Sequence, residues 1–381
     1  MNMGLWLSED QLQYQDEVRK TVEEKVGPRA AAVDAEGKFP WDIKDAFSEF
    51  GLFRLVVQPE YGGKDGLLST LCVAIEEVAR VCGASSMILG NQSLGASPIV
   101  LWGNEAQQQK YLRKVASGEC LASFALTEAD AGSDVAAVKT RAVPDGDSYI
   151  INGSKIFITH GDIADVLVVF AKVNVEGKDK MTAFLVDKGT PGLSTGKLEK
   201  KMGLKGSTTA ELILDQVRVP AEDIVGKIGD GFRIALDCLD KGRIMVGSMA
   251  TGLAQGALDV ALGYVGSGIY NGRPLARSQA VQFALADMET VIQAARCLTH
   301  AAAYKYDRKE EGYIKFSAMS KLYATDMVMD VASKAVDLLG DYGYSREYPV
   351  ERMMRDAKIF AIFEGTNQIQ RLVIARELLG K

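Results

Sequence analysis

Near its C-terminus the 381-residue sequence sets one carboxylate between an apolar run and a glycine: Ile359-Phe360-Ala361-Ile362-Phe363, then Glu364-Gly365-Thr366-Asn367-Gln368-Ile369-Gln370-Arg371. A Glu held against apolar neighbours loses solvation, so its neutral form gains ground and it can accept a proton near physiological pH. Gly365 allows an unusual dihedral or a close backbone approach beside it. On local pattern alone, a surface Glu at a helix end fits equally well.

Two further stretches carry polar groups at suggestive spacing. Thr127-Glu128-Ala129-Asp130-Ala131-Gly132-Ser133-Asp134 follows a predicted strand, and its backbone N–H groups and hydroxyls could hold a planar polar ring or a phosphate. Its three carboxylates would repel a phosphate, which favours turn and capping chemistry instead. Asp240-Lys241-Gly242-Arg243 opens or interrupts a helix otherwise rich in small residues. An arginine there serves an anionic ligand or a structural ion pair with equal ease. No G-x-G-x-x-G follows a strand into a helix, so a dinucleotide fold of the parallel-sheet type has no support.

The elements that must position these groups fall into three blocks. Ser8 with Gln11 forms a capping box before Leu12, Tyr14 and Val18, and helical spacing recurs over Trp41–Leu52, Leu68–Val81 and Ala84–Gly103. The last of these carries small and polar residues from Gly90-Asn91-Gln92-Ser93 to Ser97, a pattern for tight helix packing or a ligand pocket, with packing favoured. From about Cys120 the period changes to two. Phe124–Thr127, Tyr149–Ile151, Lys155–Thr159, Val166–Val173, Met181–Val186, Glu211–Leu214 and Val217–Val219 read as strands, and Asn152-Gly153 reads as a hairpin turn. From Gly229 helical spacing returns, with long helices expected over Gly231–Ser267, Ser278–Arg308 and Ile314–Leu339. The expected class is α+β: a helical domain over 1–119, a β-sandwich or barrel domain over 120–228, and a C-terminal four-helix bundle over 229–381.

Bulk properties narrow the class. A net charge of −6 argues against a nucleic-acid binder. No apolar run approaches the roughly 20 residues of a membrane span, and Met1–Trp6 shows no secretory signal. Five scattered cysteines without C-x-x-C spacing suggest buried thiols in a reducing, cytoplasmic or mitochondrial-matrix setting, and two histidines argue against a histidine-rich metal site.

Taken together, Leu126-Thr127-Glu128 … Ala131-Gly132-Ser133-Asp134 and Glu347-Tyr348-Pro349 … Arg355-Asp356-Ala357-Lys358-Ile359 … Glu364-Gly365-Thr366-Asn367-Gln368-Ile369-Gln370 resemble the two signatures of the acyl-CoA dehydrogenases, over nearly the whole chain. The resemblance implies FAD between the β domain and the bundle, with Phe124, Leu126, Thr127, Gly132, Ser133, Phe157, Thr159, Thr366 and Gln368 around it. It implies an acyl-CoA thioester near Asn91, Ser133, Leu239, Asp240, Arg243 and Gly365. Glu364 would then remove the α-proton while the β-hydride passes to flavin N5. Some relatives carry the base directly before the matched arginine; here that position is Gly242, which leaves the role to Glu364. Electron-transferring flavoprotein as acceptor and a homotetramer built as a dimer of dimers are further implications. An enoyl-CoA reductase or oxidase on the same fold, and a flavin-impaired binding homologue, are the alternatives.

The sequence departs from the family where a neighbouring subunit's FAD is expected. A family Arg and Phe appear as Gly268 and Asn271, and a Gln and a Gly appear as Asp337 and Asp341. These changes predict that FAD is held differently or more weakly, with Arg273 or Arg277 as compensating cations. The polar Gly90–Ser93 stretch suggests a functionalised or cyclic acyl group.

Overall fold

A computed structural model describes residues 7–380; the reading of Met1–Trp6 lies outside them. Six helices come first: α1 (Glu9–Lys25), α2 (Ala30–Glu36), α3 (Trp41–Phe50), α4 (Leu68–Val81), α5 (Gly83–Trp102) and α6 (Glu105–Ser117). The expected capping box at Ser8 and Gln11 is present, with Tyr14, Val18 and Val22 on the buried side and Leu12 only half-buried. Helix α4 is buried on every face from Leu68 to Ala79, so it is a core helix rather than an amphipathic surface one.

Eight strands follow: β1 (Ala122–Ala125), β2 (Arg141–Asp145), β3 (Ser148–Thr159), β4 (Val166–Val175), β5 (Lys178–Asp187), β6 (Leu193–Leu198), β7 (Thr209–Pro220) and β8 (Ile224–Val225). They form one sheet in the order β6-β7-β3-β2-β4-β5-β8, with β1 parallel to β4 off that path. The remaining helices are α7 (Gly231–Ser267), α8 (Gln279–Asp307), α9 (Tyr313–Leu339), α10 (Asp341–Tyr344), α11 (Val350–Ala357) and α12 (Asn367–Leu379). A small hairpin, β9 (Ile269–Tyr270) and β10 (Arg273–Pro274), joins α7 to α8. Helices α7, α8 and α9 pack on one another, and α12 packs on α9.

The two Asn-Gly pairs behave differently. Asn152-Gly153 makes no turn: β3 runs straight through it with a register shift against β7 between Ile151 and Gly153. Asn152 Oδ1 accepts from the backbone N–H of Gln216 at 2.8 Å and from its side chain at 2.9 Å. A Cβ at Gly153 would lie 2.5 Å from Thr140 Oγ1, so the glycine marks a bulge and a close approach. The expected hairpin and separate strands there are corrected accordingly. The turn lies earlier, at Gly146-Asp147 between β2 and β3. Asn271-Gly272, both at positive φ (50° and 75°), does close a hairpin, between β9 and β10. Likewise Glu211–Leu214 and Val217–Val219 are one strand, β7, in which Gln216 takes a positive φ of 57°.

Residues of β4 and β5 divide their side chains between two cores. Val166, Val168 and Phe170 with Met181, Ala183 and Leu185 join the cluster that also holds α4, α5, α7, α9 and α11. Leu167, Val169, Ala171 and Val173 with Phe184 and Val186 face the separate interior of the sheet domain. Period-2 alternation with both faces apolar is what a strand covered on both sides requires. Helices α4 and α7 meet at small residues: a Cβ at Gly252 would lie 2.1 Å from the Glu76 carbonyl oxygen, and one at Gly256 1.9 Å from that of Arg80. One correction concerns membrane-length segments. By length and composition α7 could cross a bilayer, and 83% of its apolar window is buried inside the protein.

Candidate active site

Glu364 lies between a short 3₁₀ turn (Lys358–Ala361) and α12, and it occupies the left-handed region with φ 55°, followed by Gly365 at φ 84°. A non-glycine residue there costs roughly 1–2 kcal/mol, so the turn must be held from outside. Two donors do so: Lys321 Nζ (2.9 Å) and Gln370 Nε2 (2.8 Å) both reach the Gly365 carbonyl. Lys321 Nζ also donates to Asn367 Oδ1 at 2.8 Å, which in addition accepts from Thr325 Oγ1 at 3.0 Å, while Asn367 Nδ2 donates to Asp326 at 2.6 Å. Thr366 caps α12, its hydroxyl accepting from the Ile369 N–H.

The Glu364 carboxyl comes to rest against α7. A Cβ at Gly242 would lie 2.7 Å from Glu364 Oε2, so the two side chains could not share this space. Oε2 is buried without a hydrogen-bond partner among the described residues. Burial pushes the acid up to about 7, with Arg243 and Lys321 pulling the other way. A carboxyl in that range could accept a proton near neutral pH.

Asp240 and Arg243 do not open a helix; they lie inside α7, buried, and pair with each other, and Arg243 Nε has no hydrogen-bond partner among the described residues. Burial raises the Asp240 acid to about 6, against the pull of Arg243. Leu239 is half-buried beside them. The ion pair that the sequence allowed is present.

The second group of candidate residues lies on the β domain. A register shift between Lys155 and Ile158 turns Phe157 outward at φ 56°, leaving it 59% exposed. Thr127 and Thr159 are half-exposed, Gly132 and Ser133 are exposed, and a Cβ at Gly132 would meet nothing within 4 Å. Leu126 is buried, and Phe124 is buried against Phe170 with ring centroids 4.8 Å apart. Glu128 is engaged locally, accepting from the N–H groups of Lys139 (2.6 Å) and Thr140 (3.0 Å), from Thr140 Oγ1 (2.5 Å) and from buried Lys155 (2.7 Å). Asp134 caps a short 3₁₀ turn. Turn chemistry thus accounts for these two carboxylates.

Helix α5 is the common wall, packed on both β1 and α7. Asn91 donates to the Ala122 carbonyl at 3.3 Å and lies 3.3 Å from His160 Nδ1. Gln92 donates to the Cys120 carbonyl (2.7 Å) and accepts from the Ala122 N–H (2.9 Å). Asn91 and Gln92 are thus bonded to β1, its lead-in and His160, whereas Ser93 Oγ is buried without a hydrogen-bond partner among the described residues. Gly90 gives room to Met249, whose Cε would lie 2.0 Å from a Cβ there. Packing, the favoured expectation for this helix, accounts for it.

Gly268, Asn271, Asp337, Asp341, Arg273 and Arg277 sit at the α7–α8 hairpin and the end of α9, all exposed except half-buried Gly268. A Cβ at Gly268 would lie 2.5 Å from Leu275 Cδ1 and 2.9 Å from the Tyr264 carbonyl oxygen, and Asn271 fits its left-handed turn position. Local packing therefore accommodates both departures. Gln368 is exposed on the first turn of α12. Lys321, Asn367 and Gln370 escaped the sequence reading. A Lys in phase with buried Ser317, Ala318, Ala324 and Val328 on one helix face is the signal that could have found the first.

Comparisons with known proteins agree with this architecture. Family models for the acyl-CoA dehydrogenase N-terminal, middle and C-terminal domains match residues 8–119, 123–217 and 229–379. The chain is 42% identical to an acyl-CoA dehydrogenase, short-chain specific, of Clostridium acetobutylicum, over 99% of this chain and 100% of that one. It is also 42% identical to acryloyl-CoA reductase (NADH) of Anaerotignum propionicum, over 100% and 97%. Among solved structures, butyryl-CoA dehydrogenase from Megasphaera elsdenii superposes with a TM-score of 0.95 at 38% identity, covering all of both chains. A chain of the electron transferring flavoprotein structure from Acidaminococcus fermentans gives 0.95 at 41%, again over all of both chains. A glutaryl-CoA dehydrogenase from Mycobacterium smegmatis in complex with FADH2 gives 0.93 at 27%, covering 100% of this chain and 97% of that one. The chain belongs to the acyl-CoA dehydrogenase family of FAD-dependent oxidoreductases.

Proposed function

We propose that the protein dehydrogenates an acyl-CoA thioester to the 2-enoyl-CoA, with Glu364 as the base that takes the α-proton. The observation that carries this reading is the Glu364 carboxyl itself, buried over Gly242, unmatched at Oε2 and poised near neutrality. FAD, when bound, supplies an acceptor for the β-hydride. Phe157, Thr127, Thr159, Gly132 and Ser133 fit that role from the β domain, since a bulge presents an aromatic face to solvent beside open backbone. Leu126 and Phe124 back this shelf from beneath, and Thr366 and Gln368 would meet the cofactor from α12.

The chain's own residues set the proton chemistry. Burial favours the neutral acid, while Arg243 and Lys321 favour the carboxylate, so a substantial fraction is ionised at pH 7 and ready to accept a proton. The left-handed turn aims the carboxyl, and the bare α7 backbone at Gly242 leaves space for it. Leu239, Asp240, Arg243 and Gly365 would lie along the thioester.

Electron-transferring flavoprotein as acceptor follows from the resemblance and is supported by the likeness to a chain of that complex. A dimer of dimers accords with exposed Leu262, Ile269, Tyr270 and Phe283 around α7 and α8, and a cytoplasmic setting with buried Cys72, Cys82, Cys120 and Cys238. The reductase direction is the second reading, favoured by the equally similar acryloyl-CoA reductase.

Anaerobic titration with straight, branched, dicarboxylic and cyclic acyl-CoA thioesters, following flavin absorbance, tests the reading. Bleaching by one class that is lost in Glu364→Gln supports it and names the substrate class. Bleaching that survives in Glu364→Gln removes Glu364 as the base. A flavin that only an enoyl-CoA reoxidises, and no acyl-CoA bleaches, selects the reductase.

A further inference from the structure

Lys321 is fully buried on α9, 43 residues before the proposed base in sequence, yet it touches the base's own turn. Its ammonium donates to the Gly365 carbonyl and to Asn367 Oδ1, bracketing the turn that follows Glu364. The peptide it grips lies beside two consecutive left-handed residues, a geometry the local sequence does not favour for Glu364. Gln370 holds the same carbonyl from inside α12, and Thr325 and Asp326 hold Asn367 from α9. A buried lysine normally meets a carboxylate; Lys155, also fully buried, ion-pairs with Glu128. Lys321 instead donates to a carbonyl and an amide.

We propose that Lys321 is a positioning residue for Glu364: it pins the Glu364-Gly365 turn so that the carboxyl rests over Gly242, and it places a positive charge at that turn. This rests on Glu364 being the base. Charged groups around the ammonium come from four directions. Glu364 lies on the turn, Asp326 on α9, Arg243 with its partner Asp240 on α7, and Arg371, bonded to Asp326, on α12. At this level α8 presents Thr299, uncharged, opposite Ser320 and Gly247. Burial pulls the lysine down to about 7, offset by Glu364 and Asp326.

Three variants tell these two roles apart. Lys321→Met removes both the donor and the charge at nearly constant volume. Lys321→Gln keeps a donor of shorter reach without charge, and Lys321→Arg keeps the charge with altered geometry. Each is compared with Glu364→Gln as FAD-loaded enzyme, measuring flavin reduction by acyl-CoA against pH, flavin content, and affinity for the enoyl-CoA product.

For Lys321→Met the reduction rate falls about 100-fold, with flavin content and enoyl-CoA affinity retained. Its acid limb moves up by about one pH unit, because a cation that favoured the carboxylate is gone. Lys321→Arg recovers the position of the acid limb more fully than the rate; Lys321→Gln recovers rate without the limb. A purely structural lysine would move neither the limb nor the rate per bound flavin. An unchanged pH profile and rate in all three variants overturns the proposal. If Lys321→Met fails to fold, the limb in Lys321→Gln and Lys321→Arg decides. Should Glu364→Gln still reduce its flavin, the base assignment falls and the positioning role with it. Loss in Glu364→Gln with no effect at Lys321 sinks only the positioning role.

Discussion

Two buried glutamates meet opposite fates in this protein. Glu76 on α4 and Glu364 before α12 both lose water, and burial raises both acids. Around Glu76 the loss is answered at one oxygen: Arg296 Nε lies 2.6 Å from Oε1, and with His300, whose Nε2 stands 3.4 Å from an Oε2 that has no hydrogen bond among the described residues, it holds the acid down at about 2. Around Glu364 the nearest cations are engaged elsewhere, Arg243 with Asp240 and Lys321 with Gly365 and Asn367. The acid stays at about 7. Burial alone does not make a base; burial with the partners diverted does.

Removing the answer at Glu76 should have the largest effect. Arg296→Met leaves a buried carboxylate unpaired and should destabilise the fold by about 3–5 kcal/mol, read by urea unfolding at pH 7. Because the folded acid is depressed, Glu76 contributes stability above its unfolded value of 4.5, and that contribution is lost as pH falls toward 2. A midpoint unchanged in Arg296→Met would mean the two glutamates do not differ as described.

Next in size, Gly242→Ala places a methyl 2.7 Å from Glu364 Oε2. Displacing the carboxyl should slow flavin reduction by about 100-fold, with flavin still bound and thermal stability nearly unchanged. Full activity in stopped-flow reduction would show that the carboxyl works from somewhere else.

The third effect is a slope. Between about pH 4.5 and 7 the folded Glu364 keeps a proton that the unfolded chain has released, so stability falls as pH rises through that window. Glu364→Gln should be more stable than the parent by an amount that grows across the window, by up to about 1.4 kcal/mol per pH unit. Chemical denaturation at several pH values reads it; parallel stability curves would contradict the raised acid.

Much of this was legible in the chain, and the failures have physical causes. Helices α7, α8 and α9 could be bounded to within a residue or so because apolar spacing persists over 27 to 37 residues. Asn152-Gly153 misled because a bulge and a hairpin ask for the same dipeptide, and only the pairing with β7 decides between them. Asp240-Lys241-Gly242-Arg243 looked like a helix boundary because charges cluster there, yet all four are buried inside α7, and that depends on neighbours distant in sequence. Glu364 was legible from its apolar flank. Its supports were harder to see: Lys321 carries no motif, and Asn367 and Gln370 stand beside the more conspicuous Thr366 and Gln368. That β1 takes up Asn91 and Gln92 of α5 could not be read from the sequence, since the strand lies 30 residues away.

The core that joins β4 and β5 to the helices has a consequence for how the chain comes into being. A ribosome emits residues in order, and Val168, Phe170 and Leu185 emerge well before α7 and α9, which complete the same cluster. Helix α4, buried on every face over Leu68–Ala79, waits longer still for α7. Until roughly the last third of the chain has been made, the nascent protein carries greasy, unfinished surfaces that invite chaperones or wrong partners. Pausing or truncation near residue 228 should therefore yield an aggregating product, even though the sheet has by then all the strands it needs.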